Sequence, residues 1–97
     1  MADHVALMYS QQRSKMTTSM SDEDLQNKLN SELGAGGNDI LRVTVSSKKG
    51  GFLAFNSSIE NVTVGVVVDS SKADKLRSTI DPILSSLGFK YTGTDKS

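Results

Sequence analysis

Val62-Thr63-Val64-Gly65-Val66-Val67-Val68 is the most apolar stretch of the chain, and its pattern decides the fold. Val62, Val64, Val66 and Val68 recur with a period of two, which places them on one face of a strand. Val67 adds apolar surface to the opposite face. A strand covered on both sides is expected inside a sheet, not at its rim.

Working outward from that strand, residues 56–61 read as a polar turn leading back to Phe52-Leu53-Ala54-Phe55, a return strand. Residues 46–51 read as a hairpin loop ending in Gly50-Gly51. Before it, Ile40-Leu41-Arg42-Val43-Thr44-Val45 alternates as a strand. Strict alternation places Leu41, Val43 and Val45 on one face and Ile40, Arg42 and Thr44 on the other. The Gly-rich stretch at residues 34–38 is a flexible connector.

Two helices flank these strands. Ser21 is a good N-cap, and Asp22-Glu23-Asp24 put negative charge where the helix dipole favours it. Asp24 occupies the acidic position of a capping box, and Met20 with Leu25 the two positions of a hydrophobic staple. Leu25, Leu29 and Leu33 form a narrow stripe, and Gly34 supplies the stop. Downstream, Ser71 is the expected cap of a second helix, whose wide apolar face comprises Ala73, Leu76, Ile80, Ile83, Leu84 and Leu87. The stripe keeps its phase across Pro82, so a kink is expected there. The rival is a restart with Asp81 as cap and Pro82 at the first helical position. Gly88 ends the helix, with Phe89 placed to pack back on Leu84. Tyr91 begins a last short strand.

The N-terminus reads as a strand at residues 5–9, a turn at 11–13 and a second weak strand at 15–18, or else as a polar arm. One domain is expected over residues 1–97: an arm or hairpin at 1–20, a core at 21–91 and a polar tail at 92–97. The expected class is α/β in the broad sense (α+β). Its helices pack on an antiparallel sheet of order (β-β)-α-β-β-β-α.

Composition excludes more than it suggests. Apolar residues make up 36% of the 97 and concentrate between residues 25 and 89. Net charge is zero, which argues against a dedicated nucleic-acid binder, where Lys and Arg neutralise phosphate. There is no cysteine, hence no disulfide, thiol nucleophile or thiolate metal site. No apolar run approaches the length of a membrane span, so no membrane association and a cytoplasmic location are expected. His4 is the single histidine and cannot build a triad or metal site unaided. The glycines at 34, 36 and 37 lead from helix into strand, the reverse of a phosphate-binding loop. Lys48 and Lys49 are the one basic pair in a loop and the candidate phosphate contacts. No catalytic residue, cofactor or metal is expected.

Leu41-Arg42-Val43 leading into Ser47-Lys48-Lys49, the glycine turn, Phe52-Leu53-Ala54-Phe55, the strand at 62–68 and a following helix resemble the Roadblock family. That family includes dynein light chains and the small scaffold subunits of Ragulator-type complexes. The resemblance implies a profilin-like, non-enzymatic scaffold serving a small GTPase or motor complex. It would dimerise by pairing the strand at 40–45 across a two-fold axis, beside the helix carrying Leu25, Leu29 and Leu33. The residues themselves offer a weaker form of this expectation, because Arg42 and Thr44 point outward from a strand without Pro or an evident bulge. The expected interface is therefore Leu25, Leu29, Leu33, Ile40, Arg42 and Thr44, with a protein partner in a homo- or hetero-dimer. Two alternatives stand beside it. One is a double-stranded RNA-binding-like domain. The other is a ferredoxin-like βαββαβ domain, with residues 5–9 and 90–93 as strands, binding a small ligand.

Overall fold

A computed structural model describes residues 3–17, 20–34, 39–49 and 60–96. They form a small α+β fold: a four-stranded antiparallel sheet and two helices. In chain order these are β1 (His4–Gln12), α1 (Asp22–Glu32), β2 (Ile40–Lys49), β3 (Glu60–Asp69), α2 (Ala73–Ser86) and β4 (Lys90–Lys96). Short 3-10 turns at Arg13–Lys15 and Ser70–Lys72 complete them. The strands lie side by side as β2-β3-β1-β4.

The valine-rich strand is interior, as its pattern requires. β3 pairs with β2 on one side and β1 on the other, and Val62, Val64, Val66 and Val68 are fully buried. Beside them on the same face lie Leu7 and Tyr9 of β1 and Val43 of β2. Leu25 and Leu29 of α1, Ile80 and Leu84 of α2, and Phe89 close the core from above. Each fully buried Leu or Val stabilises the fold by roughly 1.5–3 kcal/mol relative to exposure.

Both helices follow their signals, with one correction. The Asp24 amide donates to Ser21 Oγ at 3.2 Å, and Gly34, just past the Leu33 C-cap of α1, has a φ of +66° that suits glycine. α2 runs unbroken through Pro82, so it does not restart there. Its C-terminus closes with two bonds, Gly88 N–H to the Ser85 carbonyl and Phe89 N–H to the Leu84 carbonyl, both 2.9 Å. This is the Schellman pattern. Ser71, however, is not the cap of α2. It lies in the 3-10 turn, where its amide (2.9 Å) and hydroxyl (2.8 Å) both donate to Asp69. Asp69, with two acceptor oxygens, outcompetes the serine as the turn-forming side chain, and α2 starts at Ala73.

The N-terminal segment departs from the expected hairpin. β1 continues to Gln12, through the expected turn, and its two edges are taken by β3 and β4. Residues 15–17 instead wrap the end of α2. The Thr17 amide donates to the Leu87 carbonyl (3.2 Å), its hydroxyl to Ser86 (3.0 Å), and the Gln11 side chain to Gly88 (2.7 Å). Helix-terminal carbonyls lack intrahelical donors, and this segment supplies them.

β2 departs in two ways. Ile40 stands opposite Val68 and Arg42 opposite Val67, so Leu41 is the extra residue of a β-bulge. The bulge reverses the phase before it: Ile40 turns into the core at 6% exposure and Leu41 outward at 45%. The expected assignment of these two residues is thereby exchanged. β2 also runs through residues 46–49, expected as loop, pairing Lys48 with Asn61 and Lys49 with Glu60. The return strand at 52–55 and the turn at 56–59 lie outside the described residues. β4 extends to Lys96, where a polar tail was expected.

Candidate functional site

The structure divides the six expected interface residues. Leu25, Leu29 and Ile40 are core, so they offer no surface to a partner. Leu33 is half-buried and lines a shallow pocket of about 420 Å³ with Gly34, Asp39, Ile40, Leu76 and Thr79. Of the six, only Arg42 and Thr44 are exposed.

The edge of β2 is not free for pairing. Three polar residues of α1 at four-residue spacing, Asp22, Gln26 and Asn30, lie along it. The Asn30 amide donates to the Val43 carbonyl (3.1 Å) and accepts from the Val43 N–H (3.0 Å), as a neighbouring strand would. Gln26 accepts from the Val45 N–H at 2.9 Å, and the Ser47 hydroxyl donates to Asp22 at 2.6 Å. That bond, with the Arg13 guanidinium beside it, holds the Asp22 carboxyl below its usual range against an opposing effect of burial. Arg13 also donates to the Met20 carbonyl (2.8 Å) and to Glu60 (3.2 Å), tying α1 to the start of β3. The stripe Asp22-Gln26-Asn30 was legible in the sequence as polar residues at helical spacing next to the leucine stripe. Its partner, the strand backbone, was not.

The second candidate surface is the sheet face turned away from the helices. The main core cluster draws its sheet residues from one face; Val67, on the opposite face, stands outside that cluster although it is itself only 6% exposed. Cross-strand register arranges the other face in rows. Arg42, Val67, Ala6 and Asp95 make one row, and Thr44, Gly65, Met8 and Gly93 the next. Ser46, Thr63, Ser10 and Lys90 make the third. Small and apolar side chains occupy the middle, hydroxyls surround them, and charges sit at three of the four corners, Arg42, Asp95 and Lys90. A Cβ on Gly65 would come within 3.1 Å of Thr44 Oγ1 and 3.5 Å of Met8 Sδ, so the glycine lets Met8 lie low across the face.

A third cluster carries the most perturbed ionisable group. Tyr9 is 1% exposed and its hydroxyl donates to Asp81. Burial, the hydrogen bond to Asp81 and the Asp81 charge all push the Tyr9 phenol far above its usual value. Arg77 donates to the other Asp81 oxygen at 3.1 Å and stacks over the Tyr91 ring at 3.5 Å; the two tyrosine rings meet edge to face at 5.6 Å. Perturbed groups often mark function. Here the Tyr9 hydroxyl and both Asp81 oxygens are paired within the cluster, which pins α2 to β1 and β4, while Arg77 Nε is buried without a hydrogen-bond partner. Sequence reasoning missed it, although Arg77 and Asp81 are visible as an (i, i+4) pair.

Lys48 is exposed at the far end of β2, and the backbone of Lys49 pairs with Glu60. These positions belong to a strand, not to a phosphate-cradling loop. Among the described residues no group of three or more His, Cys, Asp or Glu is placed to hold a metal. Among them too, no helix is long and apolar enough to cross a membrane. No family model, no curated protein and no solved structure matches this chain.

Proposed function

We propose that this chain is a non-enzymatic protein-binding module of ferredoxin-like architecture that binds through the open face of its sheet. The order β-α-β-β-α-β of the described elements, with strands arranged β2-β3-β1-β4, supports the ferredoxin-like reading. It favours that reading over a Roadblock-type fold, which calls for a hairpin at residues 5–18. The observation that carries the functional reading is the contrast between two surfaces. The backbone edge at Val43–Val45 is occupied by Gln26 and Asn30, whereas Arg42, Thr44 and Ser46 beside it stand exposed. Pairing through the β2 edge, the geometry implied by the Roadblock resemblance, would first have to displace those side chains.

The double-stranded RNA-binding-like alternative draws less support, and a single-strand-binding sheet draws no more. Sheets that read single-stranded RNA stack bases on aromatic side chains of their central strands. The central strands here offer Ala6, Met8, Ser10, Thr63, Gly65 and Val67 on that face. Net charge is zero, so little counterion release would favour a polyanion.

Affinity capture with three forms of the chain tests the proposal. The wild type and Lys75→Glu, a change on exposed α2 surface, should recover the same specific proteins. The double variant Thr44→Glu/Thr63→Glu should lose them while keeping its thermal melt. Equal recovery by all three would contradict it.

A further inference from the structure

We infer that the partner on the open face is a second copy of this chain, stacked face to face about a two-fold axis parallel to the strands; this rests on the open-face reading above. Such an axis passes between β3 and β1, the middle strands, and lays β2 of one copy over β4 of the other. Each row then meets itself reversed. Arg42 falls opposite Asp95 of the second copy, and Asp95 opposite its Arg42. Val67 falls opposite Ala6, and Met8 opposite Gly65. At the end of the sheet, His4 of β1 falls opposite Asp69 of β3.

Three features of the face make it self-complementary in this arrangement. Opposite charges occupy the two ends of one row, because Arg42 and Asp95 are joined through Val67 and Ala6 in register. Both are exposed, and neither makes an ion pair or side-chain hydrogen bond among the described residues. The centre of the face is small and apolar, largely covered at Gly65 and Val67 and more open at Ala6 and Met8, and its rim is polar or charged, the anatomy of a protein interface. Stacked sheets pack about 10 Å apart with strands within about 30° of parallel, a spacing that an arginine spans readily. Four strands about 4.8 Å apart give a flat footprint of roughly 500 Å², and side-chain relief raises it toward the roughly 800 Å² per partner of standard interfaces. A dimer of micromolar rather than nanomolar Kd is expected, since the matched charges lie at the rim.

Sedimentation equilibrium of the full chain at low salt tests the inference, with Arg42→Asp, Asp95→Arg and the double exchange Arg42→Asp/Asp95→Arg. The wild type is expected to dimerise reversibly. Each single exchange sets like charges opposite each other twice per dimer and should weaken association by about tenfold or more. The double exchange restores opposite charges and should return Kd to within about threefold of the wild type, which no merely additive effect would do. All three variants should melt like the wild type. A wild type that stays monomeric to millimolar concentration overturns the inference and leaves the capture experiment to judge the open-face reading. A dimer that survives Thr44→Glu/Thr63→Glu overturns both. A dimer lost in that variant, but with purely additive charge exchanges, overturns the strand-parallel arrangement and leaves the open face standing.

Discussion

At the scale of single residues, Asn30 is the side chain that covers the edge of β2 at Val43. Its amide supplies both a donor and an acceptor to the backbone of Val43, so its loss leaves two strand-edge groups unpaired. Asn30→Ala should destabilise the fold by about 1–3 kcal/mol in urea unfolding and raise its tendency to aggregate through the uncovered edge. A change below about 0.3 kcal/mol would mean that water replaces the amide without cost. Asp22 predicts a pH dependence. Its folded carboxyl sits below the usual value of about 3.9, so the unfolded chain binds protons more readily. The stability it contributes is therefore full above about pH 4 and lost as pH falls through the lower folded value. Asp22→Asn should flatten the acid limb of the stability profile, and Ser47→Ala, which removes the largest cause of the shift, should flatten it in part. Tyr9 has the opposite sign. Its phenol is raised in the fold, so the stability it contributes is full below about pH 10 and lost as pH rises toward the folded value. In a Tyr91→Phe variant, tyrosinate absorbance should appear well above pH 10 and together with unfolding; a simple titration near 10 would show that Tyr9 reaches solvent.

At the scale of elements, periodicity made most of the structure legible, and its failures have local causes. The valine alternation of β3, the leucine stripe and Ser21 cap of α1, and the Gly88 closure of α2 all survive in the fold. A bulge cannot be read from alternation, because it consists of one residue that breaks the alternation; hence Leu41 and Ile40 exchange faces. Ser71 and Asp69 are both good turn formers, and only the geometry of the 3-10 turn selects between them. Residues 15–17 look weakly extended because their partners, the last carbonyls of α2, stand about seventy residues away. Gly88 joins the two segments. Its φ is +96°, and a Cβ there would lie 3.1 Å from the Lys15 carbonyl. Gly88→Ala is thus expected to cost more than the roughly 1 kcal/mol of a left-handed alanine alone, and thermal unfolding should show it. By contrast Leu41→Ser, at an exposed bulge position, should change stability by no more than about 0.5 kcal/mol.

At the scale of the whole molecule, the candidate site was half legible. Arg42 and Thr44 were recognised as outward-facing, but grouped with Leu25, Leu29 and Ile40, which the core claims. The grouping failed because sequence shows which residues share a strand or helix face, not which faces meet. It could not place β4 beside β1, so it could not bring Asp95 into the row of Arg42. It also could not show α1 lying along the rim of β2 and occupying the edge that the strand pattern left open. With the β2 edge occupied, the open sheet face is the surface we propose for binding. Amide and methyl NMR shifts followed from micromolar to millimolar protein concentration test that claim most directly. Concentration-dependent changes centred on Ala6, Met8, Thr44, Thr63 and Val67 are predicted, with Gln26, Asn30, Val43 and Val45 unchanged. Changes centred on those last four residues would contradict it, whereas none at any concentration would contradict the self-association and leave the open face to the capture experiment.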